Sequence, residues 1–401
     1  MNLKDYKFIV SSGCSYGVMM KNLFFNHTYL ENVYNKFNGD RLEYNYDKDK
    51  IIFLGAGLPS QSSEWTSHSV QYIIDKLLKL NVNPENIYCF VEWTQYDRVT
   101  NATENFIDLS KTEINSVLSQ HTNKFTDELA KHLNIRSLLK LPNIGIIDEC
   151  AYINSNSLLP SQIENIFGVD GKVMYERHFK IHQQTTNVSL LKNYFNNILS
   201  LQNYLKLNDI QYNFCNMQSE FDGWIQTGFE YQQKIKYGRK YHKYHIANNS
   251  IKQNLNYENV KNDGIHVLKA YPQISHLYNL IDFTNWWFYK EDGFEFGGID
   301  EYFLHKYDIY AYSNLMFYNS KEINVYDIVG GYNWHPTEIL YTLLHNTACF
   351  NNPFVKVKDS WQEYLIKLLN EDINYKGITK HKIACSKNYY ENIIQYEHTK
   401  L

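Results

Sequence analysis

The sequence predicts an α/β fold built on a mainly parallel sheet. Three observations carry this: four short apolar runs that read as buried strands, long segments of helical periodicity between them, and small residues at the strand ends. Strands covered on both faces read as near-continuous apolar runs, and strands that alternate with helices make parallel sheets.

The elements follow in order. KFIVSS (7–12) is the first strand and leads into Gly13, within FIVSSGCSYG. KIIFLGAG (50–57) is the second and again ends in glycines. In HSVQYIIDKLLKL (68–80), Val70, Ile73, Ile74, Leu77 and Leu78 recur at three-to-four spacing, which predicts a helix. NIYCFVEWT (86–94) is the third strand. VSLLKNYFNNILSLQNYLKLN (188–208) repeats the helical pattern at Leu191, Tyr194, Phe195, Ile198 and Leu201, and IQYNFCNM (210–217) is the fourth strand. Residues 101–186 break this rhythm with helix-like pieces (TDELAKHLNIRSLLKL) and polar loops. They read as an inserted cap or loop region. Residues 351–401 read as a helical C-terminal extension, and no internal repeat or low-complexity tract interrupts the chain.

Composition narrows the function classes. Lys and Arg total 39 against 43 Asp and Glu, a net charge of −4, so bulk electrostatics draw the chain to neither nucleic acid nor an anionic membrane. Tyr (35) and Phe (22) are abundant and Pro is scarce (7), a bias that accompanies A/T-rich coding. The six cysteines, Cys14, Cys89, Cys150, Cys215, Cys349 and Cys385, form no CxxC pair and read as reduced thiols. MNLKDYKFIV is too polar for a signal peptide, and no apolar run approaches the about 18 residues of a membrane span. A soluble protein of cytoplasmic synthesis is expected.

Ligands of open α/β sheets sit outside the carboxyl ends of the strands. Three strands end there in Gly13-Cys14-Ser15, Gly55-Ala56-Gly57 and Trp93-Thr94-Gln95. Ser15 is a nucleophile if a histidine reaches it. Backbone N–H groups of Ser15 and Gly57, with a side chain from Thr94 or Gln95, then supply oxyanion donors. Taken alone, each of these is equally a strand-end turn or a solvated polar residue.

In that order the residues resemble the SGNH (GDSL-type) hydrolase family. There the nucleophilic serine follows strand one in a G-D-S or G-C-S turn, a glycine follows strand two, an asparagine in G-x-N follows strand three, and the histidine comes near the C-terminus. IVSSGCSYG is similar to the first block and LGAGLPSQSSEW to the second, with Ser60-Gln61 where Ser-Asn is usual. VEWTQYDR departs from the third, and Thr94 or Gln95 stands in for the asparagine. W-T followed by an arginine is similar to the divergent branch found in tailed-phage genomes.

Two histidines compete for the role of base. GGYNWHPTEILYTLLHN presents His335-Pro336-Thr337 opening a helix, which resembles the last block of the family and is favoured. NDGIHVLKAY presents a literal D-x-x-H, Asp263 with His266. With His335 the usual acid is missing, since positions 332 and 333 are Tyr and Asn, and Asp327 or a backbone carbonyl would orient the ring.

The resemblance implies a three-layer α/β/α domain over residues 1–100 and 187–350. It further implies a serine esterase that removes acyl groups such as acetyl from a glycan or small ester, without cofactor or metal. Two alternatives share the scaffold: a phage virion or accessory protein that binds or assembles with other virion proteins, and an acyltransferase. His242 and His245 in RKYHKYH have metal-compatible spacing but no apparent Cys or carboxylate partner, and a solvated basic loop is the plainer reading. Trp286-Trp287-Phe288-Tyr289 is either core or a surface on which sugars stack.

Overall fold

The computed structural model describes residues 3, 6–14, 50–58, 61–94, 96, 98–103, 114–116, 129, 132–138, 144–148, 150–154, 160–217, 221, 271–290, 296–299 and 302. In chain order its elements are β1 (Lys7–Ser12), β2 (Ile51–Gly55), α1 (Ser63–Lys79), β3 (Ile87–Trp93), β4 (Thr100–Thr103), β5 (Ile114–Ser116), β6 (Ile135–Leu138), β7 (Gly145–Ile147) and β8 (Cys150–Asn154). After these come α2 (Pro160–Gln184), α3 (Asn187–Leu207), β9 (Gln211–Asn216), α4 (Ser275–Tyr278) and β10 (Trp286–Trp287).

The four apolar runs form one sheet with a fifth strand, in the order β10-β9-β3-β1-β2, and every pairing is parallel. This bears out the α/β class. Residues on both faces are closed to water: Val10 and Val91 on one, Ile9 and Phe90 on the other, all at 0% exposure. That is why the strands read as unbroken apolar runs. β10 consists of Trp286 and Trp287, both buried, so these rings belong to the core and not to a sugar-stacking surface.

α1 connects β2 to β3, and α3 precedes β9. Both crossovers move along the sheet in the same direction, so right-handed connections place both helices on one face. The helices do pack on each other, with Asn197 Nδ2 donating to Ser63 Oγ at 3.1 Å and Gln71 Nε2 to Ser200 Oγ at 3.1 Å. Each begins on a hydroxyl cap: Ser62 accepts from the Trp65 N–H, and Thr186 from the Ser189 N–H. Each is followed by a polar residue in the left-handed region, Asn81 (φ 60) and Asp209 (φ 53), which turns the chain into the next strand.

The segment between β3 and α2 is a second five-stranded sheet, in the order β4-β8-β7-β6-β5, with antiparallel pairing throughout. The expected helix over TDELAKHLNIRSLLKL therefore needs correction. Helical conformation stops before Asn134 (φ 49), and Ile135–Leu138 continue as β6. A left-handed asparagine ends the turn, and pairing with β5 and β7 outweighs the helical spacing of the leucines.

α1 is shared by the two sheets because its sides carry different chemistry. Ser69 faces β1, with its Oγ 2.9 Å from Ser12 Oγ, while Ser63 and Gln71 face α3. Trp65, His68 and Tyr72 face the antiparallel sheet. Trp65 donates from Nε1 to the Ala56 carbonyl at 2.8 Å and meets Tyr152 edge to face at 5.2 Å. Gly145 lies under its ring, where a Cβ would come within 2.3 Å of Cη2. Only glycine lets β7 approach so closely.

The chain divides into two compact units. The first comprises Met1–Tyr29, Tyr46–Met217 and Gln273–Trp287, so it holds both sheets and the whole of 100–186. The second comprises Leu30–Asn45, Gln218–Pro272 and Phe288–Leu401. Its described residues include an aromatic cluster in which Phe221, Phe288 and Phe296 meet edge to face. The extension at 351–401 and the RKYHKYH stretch lie outside the described residues.

Candidate functional site

In the first unit the sheet reverses its strand order between β1 and β3, and crevices outside the carboxyl ends of strands open at such reversals. The edge there is built by Gly13 and Cys14 after β1, Ala56, Gly57 and Leu58 after β2, and Thr94 after β3. The β1–β2 ladder runs past the strands: the Ala56 N–H donates to the Ser11 carbonyl at 2.8 Å, and the Leu58 N–H to the Gly13 carbonyl at 3.2 Å. Gly57 lies between them, is buried, and keeps its own N–H out of that ladder. Thr94 has 0% exposure.

Alternation along β3 sends Val91 and Trp93 to the face covered by α1 and α3, where Trp93 meets the Tyr194 ring. Glu92 takes the other face with Gly13. Its carboxyl group is wholly buried, and Oε1 accepts the Cys14 thiol at 3.2 Å, while Cys14 Sγ also lies 3.3 Å from Met217 Sδ. A Cβ at Gly13 would stand 2.9 Å from the Glu92 carbonyl oxygen and 3.1 Å from its Cβ. Gly13 is thus required by close approach, and Glu92 forms the floor beneath the turn that leads to Ser15.

Thr94 has a partner in the arginine that follows W-T in VEWTQYDR. Arg98 Nη1 donates to Thr94 Oγ1 at 2.8 Å. Further along the edge, Trp93 and Asn216 are register partners on β3 and β9. Asn216 Oδ1 accepts from the Tyr194 hydroxyl at 3.1 Å, while Asn216 Nδ2 and Trp93 Nε1 are buried donors with no partner among the described residues. Ser11 Oγ is likewise buried without one. This edge is richer in polar groups than the core around it.

Of the site residues expected from the sequence, Gly57 and Thr94 are brought to this edge. Ser15, Gln95, His335, His266 and Asp263 lie outside the described residues. Glu92 and Arg98 are additions. The signal for Glu92 was legible, since it is the one charge in the buried run IYCFVEW. Arg98 was legible as the arginine that follows W-T in VEWTQYDR, but its bond to Thr94 was not.

A second polar cluster lies in the same unit, where α1 meets the antiparallel sheet. The Tyr152 hydroxyl is 2.5 Å from His68 Nδ1, and the Tyr72 hydroxyl donates to Asp148 Oδ1 at 2.7 Å. Burial lowers the His68 pKa while Asp148 opposes the shift. Burial also raises Glu64 above the usual carboxyl range and pushes the Tyr152 and Tyr72 hydroxyls up.

Among the described residues no group of three His, Cys, Asp or Glu could hold a metal ion, and no helix is long and apolar enough to cross a membrane. Compared with protein-family models, curated proteins and solved structures, the chain matches none.

Proposed function

We propose that the chain is a serine hydrolase of the SGNH type, with a three-layer α/β/α domain, that cleaves acyl esters, with O-acetyl groups on a glycan as the substrate class. The observation that supports this is the strand order β10-β9-β3-β1-β2. It sets the reversal between β1 and β3, beside the turn Gly13-Cys14 that runs into Ser15. Thr94 and Gly57 stand at the same edge. The glycan is argued from the family resemblance, not from the geometry of the edge.

In this reading Ser15 Oγ attacks the ester carbonyl while His335 takes its proton, or His266 with Asp263 as the alternative pair. The Ser15 and Gly57 N–H groups, with Thr94 or Gln95, hold the tetrahedral oxyanion. Collapse of the intermediate breaks the C–O bond, and the imidazolium returns the proton to the leaving alcohol. Water then attacks the acyl-serine by the same route and releases the acid.

A fluorophosphonate probe tests the reading. Labelling of wild type that disappears in Ser15→Ala is expected, with His335→Ala and His266→Ala separating the two bases. A well-folded wild type that never labels sinks it. That outcome would select the second reading, a virion or accessory protein using the scaffold for binding or assembly. It is favoured by two departures from the family pattern, the missing asparagine after β3 and the missing acid beside His335.

A further inference from the structure

We infer that Arg98 is a positioning residue that turns Thr94 into a dedicated hydrogen-bond donor for the oxyanion, an inference that rests on the hydrolase reading above. The argument starts from what each group is able to do. A guanidinium has only donors, whereas a threonine hydroxyl has one proton and two lone pairs. The 2.8 Å contact between Arg98 Nη1 and Thr94 Oγ1 therefore runs one way, with arginine donating. The threonine proton is left over. Thr94 has 0% exposure, so that proton reaches an oxyanion only when the entering ester displaces what covers the hydroxyl.

Two consequences follow. A hydroxyl that accepts from a cation becomes a stronger donor, because the charge-assisted bond polarises O–H. Its orientation is also set in advance, since the acceptor side is occupied and rotation would break the bond to Arg98. Pre-oriented donors account for most of what an oxyanion site contributes, because nothing has to reorganise as charge develops. Arg98 follows Thr94 by four residues, and its half-buried side chain folds back onto the strand it has just left.

Without this device a threonine is a poor substitute for a carboxamide, because its single proton can turn toward any nearby acceptor. Arg98 removes that freedom. The same bond assigns the donor role to Thr94 in preference to Gln95.

The test is steady-state hydrolysis of p-nitrophenyl acetate by the full chain, with Ser15→Ala as the blank. Thr94→Val is expected to lower kcat by about 10²–10³-fold, the usual loss for one oxyanion donor. Arg98→Met should lower kcat by about 10–10²-fold with KM nearly unchanged, and the double variant should be no slower than Thr94→Val. Arg98→Lys keeps a cationic donor and should stay within several-fold of wild type. A residue that only supports the fold would instead shift Tm and give independent, multiplying losses. If Arg98→Met fails to fold, Arg98→Ala against Thr94→Val carries the same cycle. Ser15-dependent turnover with an unaffected Arg98→Met, or with multiplying losses, overturns this inference alone. Absence of any Ser15-dependent turnover overturns it together with the hydrolase reading.

Discussion

The two sheets of the first unit are equal in strand number and opposite in character. Four strands of the parallel sheet are apolar runs of five to seven residues, and its carboxyl edge gathers Gly13, Gly57, Glu92 and Thr94. The antiparallel sheet is made of strands of three to five residues with polar side chains among them. It buries Ile135, Ile146 and Tyr152 and meets α1 through Trp65, which packs on Tyr152 and Gly145. The difference separates two ways of holding a strand. One kind carries its own burial, and the other depends on a partner that belongs to a different layer.

That dependence can be broken at Trp65. Its ring is fully buried, bonded to the Ala56 carbonyl and set over Gly145, so it ties the antiparallel sheet to the helix. Trp65→Ala should lose about 3–5 kcal/mol by urea denaturation, the usual cost of deleting a large core ring. A first, smaller transition should separate from the main one as the antiparallel sheet is released. A loss below about 1 kcal/mol, within the range of surface changes, would mean that this sheet stands without α1.

The polar rim of the same interface sharpens the comparison. Tyr152→Phe removes the hydroxyl at His68 and should cost about 1 kcal/mol. The sign of the pH effect follows from burial. The folded His68 binds its proton less readily than the unfolded chain, so its contribution is whole above the ordinary value of about 6.5 and fades as pH falls through the lower folded value. The ring is partly open to water, which keeps the effect modest. Wild type should lose stability relative to His68→Gln as pH falls below about 6.5. Parallel stability curves for the two proteins would refute the coupling.

The smallest effect belongs to the parallel sheet. Lys206 of α3 holds Asp282, near β10, at 2.5 Å, and with Thr284 it brings that carboxyl down to about 2. Both groups are partly exposed, so Lys206→Met should cost no more than about 1 kcal/mol. A depressed carboxyl contributes above its unfolded value and loses that contribution as pH falls through the folded one. The gap between wild type and variant should therefore be present at pH 7 and shrink as pH falls from about 4 towards 2. A gap that persists in acid would place the effect in packing.

How far the sequence could be read follows the same division. KFIVSS, KIIFLGAG, NIYCFVEWT and IQYNFCNM each became a strand of the parallel sheet, and the helical spacings became α1 and α3. NIRSLLKL did not behave as its leucines suggested, because Asn134 and pairing with β5 and β7 outweigh a weak helical pattern. At the edge, the glycine and threonine after β2 and β3 were visible from their place after apolar runs. Glu92 and Arg98 were visible as a lone charge in an apolar run and an arginine after W-T, but their contacts with Gly13 and Thr94 were not.

By itself, then, the sequence determined the parallel sheet, because strands buried on both faces must be written as continuous apolar runs with small residues where they end. Tertiary structure decided the rest. The order β10-β9-β3-β1-β2, the sharing of α1 between two sheets, the approach of Gly13 to Glu92 and the bond from Arg98 to Thr94 are relations between side chains and strands. Close approach and hydrogen-bond direction exist only once the chain has folded, and no spacing along it encodes them.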